Sequence, residues 1–329
     1  DIVEIARGLV ADPFLPKKAF EGNEDDITPC IRCYECFGET TKCESVKCSV
    51  NPTMGQQMGA KFGVKPIERK KKVLIAGGGP AGMEAAVIAA NRGHNVTLVE
   101  KTDKLGGNLY PAAAPYFKKD IADFCDVLIR RVKKAGVNVI YNTEVTPEYV
   151  EQFAPDALLI AIGSNEFVPP IKGIDSSNVL MAIDAELHPE KLGKRVAIIG
   201  GGLVGAEGAV SFHHEGCECT IIEMKHDIAT EVSPFYRGGL MPEVNKSATC
   251  YVDTTVKEIT EAGVVCEKDG KEFLVEADTV VCAVGFRAPY DKVDALCDKV
   301  DEYYIIGDCK KVGQIYDAIN NGYYSALLV

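Results

Sequence analysis

The stretch that decides the fold is Lys72–Lys101, KVLIAGGGPAGMEAAVIAANRGHNVTLVEK. Val73 to Ala76 form a short apolar run that reads as a buried parallel strand. Gly77-Gly78-Gly79-Pro80-Ala81-Gly82 then turns the chain into an alanine-rich helix expected over Met83 to Ala90, which Gly93 ends. Val96 to Val99 form a second strand that closes on Glu100. This is G-x-G-x-x-G inside a βαβ unit, with an acid at the tip of the next strand. Gly77 permits the tight turn, Gly79 lets backbone approach a pyrophosphate, and Gly82 lets helix and strand pack closely. The backbone from Gly77 through Ala81 to Gly82 is the expected cradle, because a helix start offers unpaired N–H groups and partial positive charge. Glu100 is expected to accept from the ribose hydroxyls of an adenosine.

The same pattern returns further along. Gly77, Gly79, Gly82, Glu84, Gly93 and Glu100 recur as Gly200, Gly202, Gly205, Glu207, Gly216 and Glu223, each 123 positions later (77 to 200, 100 to 223). The apolar segment Asp156–Gly163 recurs as Asp278–Gly285, shifted by 122 (156 to 278). A register held over this length means two homologous dinucleotide folds. The second cradle is expected to use Gly200, Gly202, Leu203, Val204 and Gly205, with Glu223 on a free 2′-hydroxyl. An acid there favours NADH over NADPH, although Lys225 and His226 stand nearby where a phosphate would need them.

Composition bounds the alternatives. The chain has 329 residues, 47% of them hydrophobic, and a net charge of −12. Nucleic acid or an anionic membrane surface as partner would call for clustered Lys and Arg instead. No apolar run approaches the roughly 20 residues of a membrane span. Five of the 13 cysteines crowd between Cys30 and Cys48, which points to a metal site in a reducing compartment, so a cytoplasmic location is expected. Homo-oligomerisation is left open.

The spacing there is Cys30-x2-Cys33-x2-Cys36-x11-Cys48. Three cysteines at intervals of three wrap one loop, and a fourth returns from a distance, as thiolates hold a 4Fe–4S cubane. Tetrahedral zinc takes two separate C-x-x-C knuckles; structural zinc and inert thiols are the alternatives. Cys43 is read as a spare, residues 53–68 as a linker, and the run Glu68–Lys72 as a solvated basic face. Residues 1–29 are read as a strand over Asp1–Ile5, a turn at Arg7-Gly8 and a small helix near Pro16–Phe20. Leu105-Gly106-Gly107-Asn108 puts small residues, Gly107 among them, where backbone could approach a cofactor. Phe117–Ala135 is helical and Val137–Tyr141 a strand. Cys217 and Cys219 read as small core residues. Tyr304–Cys309 is a strand ending in Gly-Asp, where Asp308 either meets a polyol chain or caps the following turn.

Together these residues resemble the two-dinucleotide flavoproteins, in which an FAD domain is interrupted by an NAD(P)H domain and then resumed. The resemblance implies FAD on Gly77, Gly79, Ala81, Gly82, Glu100 and Gly107, with Asp308 on its ribityl chain. Lys101–Tyr110 lacks the redox cysteine pair of the disulfide-reducing relatives, and Cys217-x-Cys219 has the wrong spacing for it. A narrower match runs from ARGLVADPFLPKKAFEG through CIRCYECF and KCSVNP to both glycine-rich units. It is similar to the C-terminal portion of the iron–sulfur NADH:flavin oxidoreductases: 2-enoate reductase, 2,4-dienoyl-CoA reductase and trimethylamine dehydrogenase. That family sets an old-yellow-enzyme-like (β/α)8 barrel with FMN ahead of the cluster. Arg7 then matches its FMN-phosphate region, although Ala6 stands where the family usually has Gly, and Cys30, Cys33, Cys36 and Cys48 match its cluster ligands.

The expected fold is therefore α/β, with two Rossmann-like FAD/NAD(P)-binding domains preceded by a 4Fe–4S cysteine loop and the tail of a truncated (β/α)8 barrel. The expected divisions are 1–29 for the barrel's last βα unit, 30–68 for cluster loop and linker, 69–186 and 286–329 for the FAD domain, and 187–285 for the NAD(H) domain. The resemblance implies an oxidoreductase that passes electrons from NADH through FAD and the cluster to FMN, which reduces an activated C=C bond of a 2-enoate or 2,4-dienoyl-CoA type substrate. No side chain here is expected to act as acid or base in the NADH step. The rival readings are a trimethylamine-dehydrogenase-like enzyme with ADP in the first site, a stand-alone NADH-oxidising electron-transfer subunit, and a zinc-stapled nucleotide-binding adaptor.

Overall fold

The structure is a computed structural model, and it describes residues 2–41, 45–55, 67 and 69–329. Cys43, Glu68 and nearly all of the expected linker lie outside the described residues.

Two compact units divide the chain. One takes in Asp1–Ala113, Lys118–Asn165 and Arg287–Val329; the other takes in Ala114–Phe117 and Glu166–Phe286. The first holds a five-stranded sheet in the order Tyr303–Ile305, Ala157–Ile160, Lys72–Ala76, Asn95–Val99, Asn138–Ile140. All four pairings are parallel. A parallel strand covered on both faces has to be apolar throughout, and Val73, Leu74, Ile75 and Ala76 are fully buried. Lys72–Ala76 is thus the central strand, flanked by the two strands the sequence pairs with it.

The second unit repeats this order with Val179–Met181, Thr279–Cys282, Arg195–Ile199, Glu218–Ile222 and Ala248–Tyr251, again all parallel. Ala76 faces Val99 as Ile199 faces Ile222. The edge strand is the one difference in origin. In the first sheet it comes from Tyr303–Ile305, late in the chain; in the second it comes from Val179–Met181, ahead of the glycine-rich turn. Val179–Met181 pairs with Thr279–Cys282, which is why the second unit begins at Glu166 and not at residue 187.

Each glycine-rich turn feeds a helix, Pro80–Arg92 in the first unit and Leu203–His214 in the second. The first starts three residues before the expected Met83, because Pro80 sits at its N-terminal position, where a missing N–H costs nothing. Gly93, at φ +105°, ends it in the left-handed cap that glycine favours. The closing helix Ile315–Ala326 lies on Pro80–Arg92, and a side chain at Gly322 would collide with the Ala81 carbonyl at 2.4 Å. A three-stranded antiparallel sheet, Thr255–Thr260, Gly263–Lys268 and Lys271–Glu276, also belongs to the second unit.

The N-terminal segment departs from expectation. Residues 2–5 form no strand, and Ile2 is 99% exposed, so nothing among the described residues pairs with them. Arg7–Ala11 is a short helix instead of a turn, followed by the expected second helix at Leu15–Phe20. Asn51 Nδ2 donates to the Val10 carbonyl at 2.8 Å, and Ala11 joins Ile31 and Val50 in one apolar cluster. The helix is thereby fixed to the cysteine loop.

Candidate functional site

The cysteine loop is built by two non-glycine residues in the left-handed region, Arg32 at φ +54° and Tyr34 at φ +59°. Such a conformation costs about 1–2 kcal/mol per residue, and here it brackets Cys33 and coils the loop inward. Cys30, Cys33, Cys36 and Cys48 all line one pocket, together with Arg7, Arg32 and Tyr34. Burial raises the Cys36 thiol, with Cys33 and Cys30 adding to the rise. Burial likewise pushes Cys48 up to about 11, backbone N–H groups oppose it, and Cys33 and Cys30 again contribute. Cys30 and Cys33 thus lie within electrostatic reach of both Cys36 and Cys48.

No three His, Cys, Asp or Glu side chains among the described residues stand close enough to share a single metal ion. One zinc ion needs every sulfur about 2.3 Å from the same point. A cubane gives each thiolate a different iron and spreads the four ligands apart.

The first cradle lies at the carboxyl end of the central strand, where open α/β sheets bind ligands. A Cβ on Gly77 (φ +107°) would meet the Ala161 carbonyl oxygen at 2.3 Å, and one on Gly82 would meet the Gly77 oxygen at 1.9 Å. Gly79 has nothing within 4 Å of that position, so its face is open to a ligand. Gly107 (φ +53°) sits against it, its Cβ position 3.2 Å from Gly79 Cα. Ala81 is buried and turned toward Gly307, whose own Cβ position is 2.9 Å from the Ala81 methyl. That contact brings Asp308 to the start of the helix. Burial raises the Asp308 carboxyl; it accepts from Ser164 Oγ at 3.0 Å and from Gly313 N at 3.3 Å. Both partners oppose the rise, while Asp317 adds to it.

Glu100 does more than wait for a ribose. It is 6% exposed and accepts two backbone N–H groups, Gly78 at 2.7 Å and Thr102 at 2.8 Å. Glu223, 7% exposed, does the same with Gly201 at 2.6 Å and Lys225 at 2.7 Å. Glu100 also accepts from Thr102 Oγ1 at 2.8 Å. A carboxylate has about four acceptor positions, so each acid ties down its own glycine-rich turn, Glu100 keeping about one position for a ribose hydroxyl and Glu223 about two.

The second cradle repeats the first. A Cβ on Gly200 (φ +106°) would meet the Ala283 oxygen at 2.5 Å, and one on Gly205 the Gly200 oxygen at 2.0 Å. It differs at its open face. Glu231 Oε1 accepts from Leu203 N at 2.6 Å and lies 3.0 Å from the Cβ position of Gly202. Val204 is partly exposed beside it. His226 Nδ1 lies 2.9 Å from Asp253 Oδ2.

Residues 133–322 match the family described as pyridine nucleotide-disulphide oxidoreductase, which is more than half of the chain. The chain belongs to that family. Residues 72–159 of this oxidoreductase also match the FAD dependent oxidoreductase family, so FAD and a nicotinamide nucleotide are the ligands of its folds. It is 36% identical to the cinnamate reductase of Clostridium sporogenes over 98% of its own length and 49% of that protein. It is 38% identical to the NADH oxidase of Thermoanaerobacter brockii, over 99% and 51% respectively. A solved structure of 2-naphthoyl-CoA reductase with 2-naphthoyl-CoA superposes with a TM-score of 0.93 at 35% identity, covering 100% of this chain and 50% of that one. The oxidoreductase thus spans about half the length of these relatives. They support its likeness to the C-terminal flavoprotein part of the 2-enoate reductase family.

Despite the family's description, every described cysteine is free. Cys217 and Cys219 are buried core residues, and burial pushes Cys219 up to about 12, far from a reactive thiolate. No helix among the described residues is long and apolar enough to cross a membrane. Sequence reasoning missed Glu231 and Ser164. Neither lies at a motif position, and each meets its partner only through a loop (Glu231 with Leu203, Ser164 with Asp308).

Proposed function

We propose that this chain is the NADH-oxidising, electron-relaying part of a flavin and iron–sulfur ene-reductase. In this reading the first unit, with Gly77–Gly82, holds FAD, the second unit, Glu166–Phe286 with Gly200–Gly205, holds NADH, and Cys30, Cys33, Cys36 and Cys48 hold a 4Fe–4S cluster. Electrons leave for FMN in a (β/α)8 barrel outside this chain, in whose phosphate region Arg7 takes part, and a 2-enoate or enoyl-CoA substrate is reduced there. The half-length match to reductases of cinnamate and 2-naphthoyl-CoA supports this division of labour.

The single observation that carries the proposal is the pair of equivalent cradles in a chain that also gathers four cysteines around one pocket. When bound, the flavin supplies acceptance of a hydride and the cluster supplies single-electron transfer. The chain's own residues position and exclude. The open face of Gly79 admits the pyrophosphate to the N–H groups of Pro80–Arg92, and the acceptor position left on Glu100 takes a ribose hydroxyl. Asp308, in the 3-10 turn Gly307–Cys309 that follows the strand Tyr303–Ile305, accepts from a ribityl hydroxyl beside its bond from Ser164. In the second unit Glu223 selects a free 2′-hydroxyl, which favours NADH over NADPH.

The test is a count of what the anaerobically purified chain carries. One FAD per chain with about four iron atoms and four sulfides, and bleaching of the flavin by NADH, is the expected result. ADP in place of FAD, as in the trimethylamine dehydrogenase type, or zinc in place of iron, overturns it. A second reading, a free-standing NADH-oxidising unit, is favoured by the 38% identity to an NADH oxidase. Steady NADH turnover by the isolated chain with a one-electron dye, but no electron delivery to an FMN barrel supplied in trans, would select it.

A further inference from the structure

Two arginines line the cysteine pocket, and they differ in what they touch. Arg32 Nε is engaged by the Asp120 carboxylate, so its charge is already answered. One terminal guanidinium nitrogen of Arg7 is buried and has no hydrogen-bond partner among the described residues. The Arg7 guanidinium carbon sits 5.3 Å from the centroid of the Tyr34 ring, between Cys33 and Cys36 in sequence. Tyr34 is one of the two residues held in the left-handed conformation, so the ring that carries Arg7 is fixed by the same turn that presents the thiols. The Arg7–Ala11 helix is itself tied to the loop through Asn51.

A buried guanidinium N–H without an acceptor forfeits its hydration with nothing in return. A cation in a wall of four cysteines resolves that cost when the pocket holds an anion with sulfur acceptors. We propose that Arg7 is a positioning residue for the cluster: its inward nitrogen donates to a cluster sulfur, and its charge raises the cluster's affinity for an electron. This rests on the 4Fe–4S reading above. Four thiolates make the assembly anionic, and one added electron makes it more so; a fixed cation stabilises the reduced form more than the oxidised one. The guanidinium has five donors, so the inward nitrogen serves the cluster and leaves others for a phosphate.

The experiment uses the full chain with its cluster reconstituted anaerobically from ferrous iron and sulfide and titrated with dithionite under EPR. Arg7→Gln is expected to keep iron and sulfide while taking up an electron about tenfold less readily, which is 59 mV lower for a one-electron couple. Arg7→Lys, which keeps charge but not the planar fork, is expected between the two. Equal potentials in wild type and Arg7→Gln overturn the proposal. If Arg7→Gln loses the cluster, ¹⁵N-arginine labelling of the Arg32→Lys chain decides. A hyperfine coupling of the reduced cluster to arginine nitrogen supports the proposal, and its absence overturns it. Failure of the wild-type chain to hold four iron atoms and four sulfides would instead sink the underlying cluster reading.

Discussion

Glu100 Oε2 accepts a hydrogen bond from Gly78 N at 2.7 Å, deep in the first unit. Its counterpart 123 residues later, Glu223, accepts from Gly201 N at 2.6 Å. The acid that the motif assigns to a ribose therefore also locks the phosphate-binding turn in shape before any ligand arrives. Preorganisation of this kind lowers what a ligand must spend on ordering the loop.

Replacing Glu100 with alanine leaves Gly78 N and Thr102 N without their acceptor. A loss of about 1–3 kcal/mol per buried donor follows. FAD retained per chain and the thermal midpoint should both fall, while NADH binding in the second unit stays within twofold. An unchanged midpoint in Glu100→Ala would show that the staple is dispensable.

Glu231 occupies the N–H of Leu203 at the start of the second glycine helix, where a pyrophosphate must dock. An anion at a helix start is worth about 0.3–1 kcal/mol, so it competes with the cofactor by roughly that amount. Glu231→Gln is expected to tighten NADH about 2–5-fold in a fluorescence titration, with FAD content unchanged. Weaker binding in the variant would make Glu231 a ligand of the nucleotide and not its competitor.

The two cradles can be damaged separately. Gly82→Ala and Gly205→Ala each drive a methyl into a carbonyl oxygen, at 1.9 Å and 2.0 Å before relaxation. Overpacking of this sort costs about 1–3 kcal/mol. The first variant should lose FAD and keep NADH binding; the second should keep FAD and lose bleaching by NADH. If both variants lose both ligands, the units are not independent.

Asp308 makes stability depend on pH. Burial raises its carboxyl in the folded state, against the opposing bonds from Ser164 and Gly313. The folded chain thus holds this proton more tightly than the unfolded chain does, whose carboxyl titrates near ~3.9. Its contribution is present below that value and is lost as pH rises through the folded pKa. Asp308→Asn removes the titration, so the thermal midpoint of wild type should fall relative to the variant as pH rises from the ordinary carboxylate range toward neutrality. A constant difference between the two across that range would remove Asp308 as the source.

The βαβ cores, the equivalence of the two folds and the glycines that need positive φ or close approach were legible in the sequence. So was the grouping of Cys30, Cys33, Cys36 and Cys48. Each rests on sterics or periodicity within a few tens of residues: Gly77 cannot carry a side chain against Ala161, and an all-apolar strand such as Val73–Ala76 has to be covered on both faces. The antiparallel sheet over 255–276 was not legible, because a register shift between Val256 and Glu258 breaks the two-residue period of its first strand.

Tertiary structure alone decided that Val179–Met181, which the sequence divisions assign to the first domain, completes the second sheet. It also decided that Arg7 faces the cysteines and that Glu231 closes the second cradle. Those contacts join residues whose local patterns say nothing of each other. They exist because packing the whole chain leaves one place for each edge strand, and because a buried charge or N–H group has to find whatever partner that packing brings near.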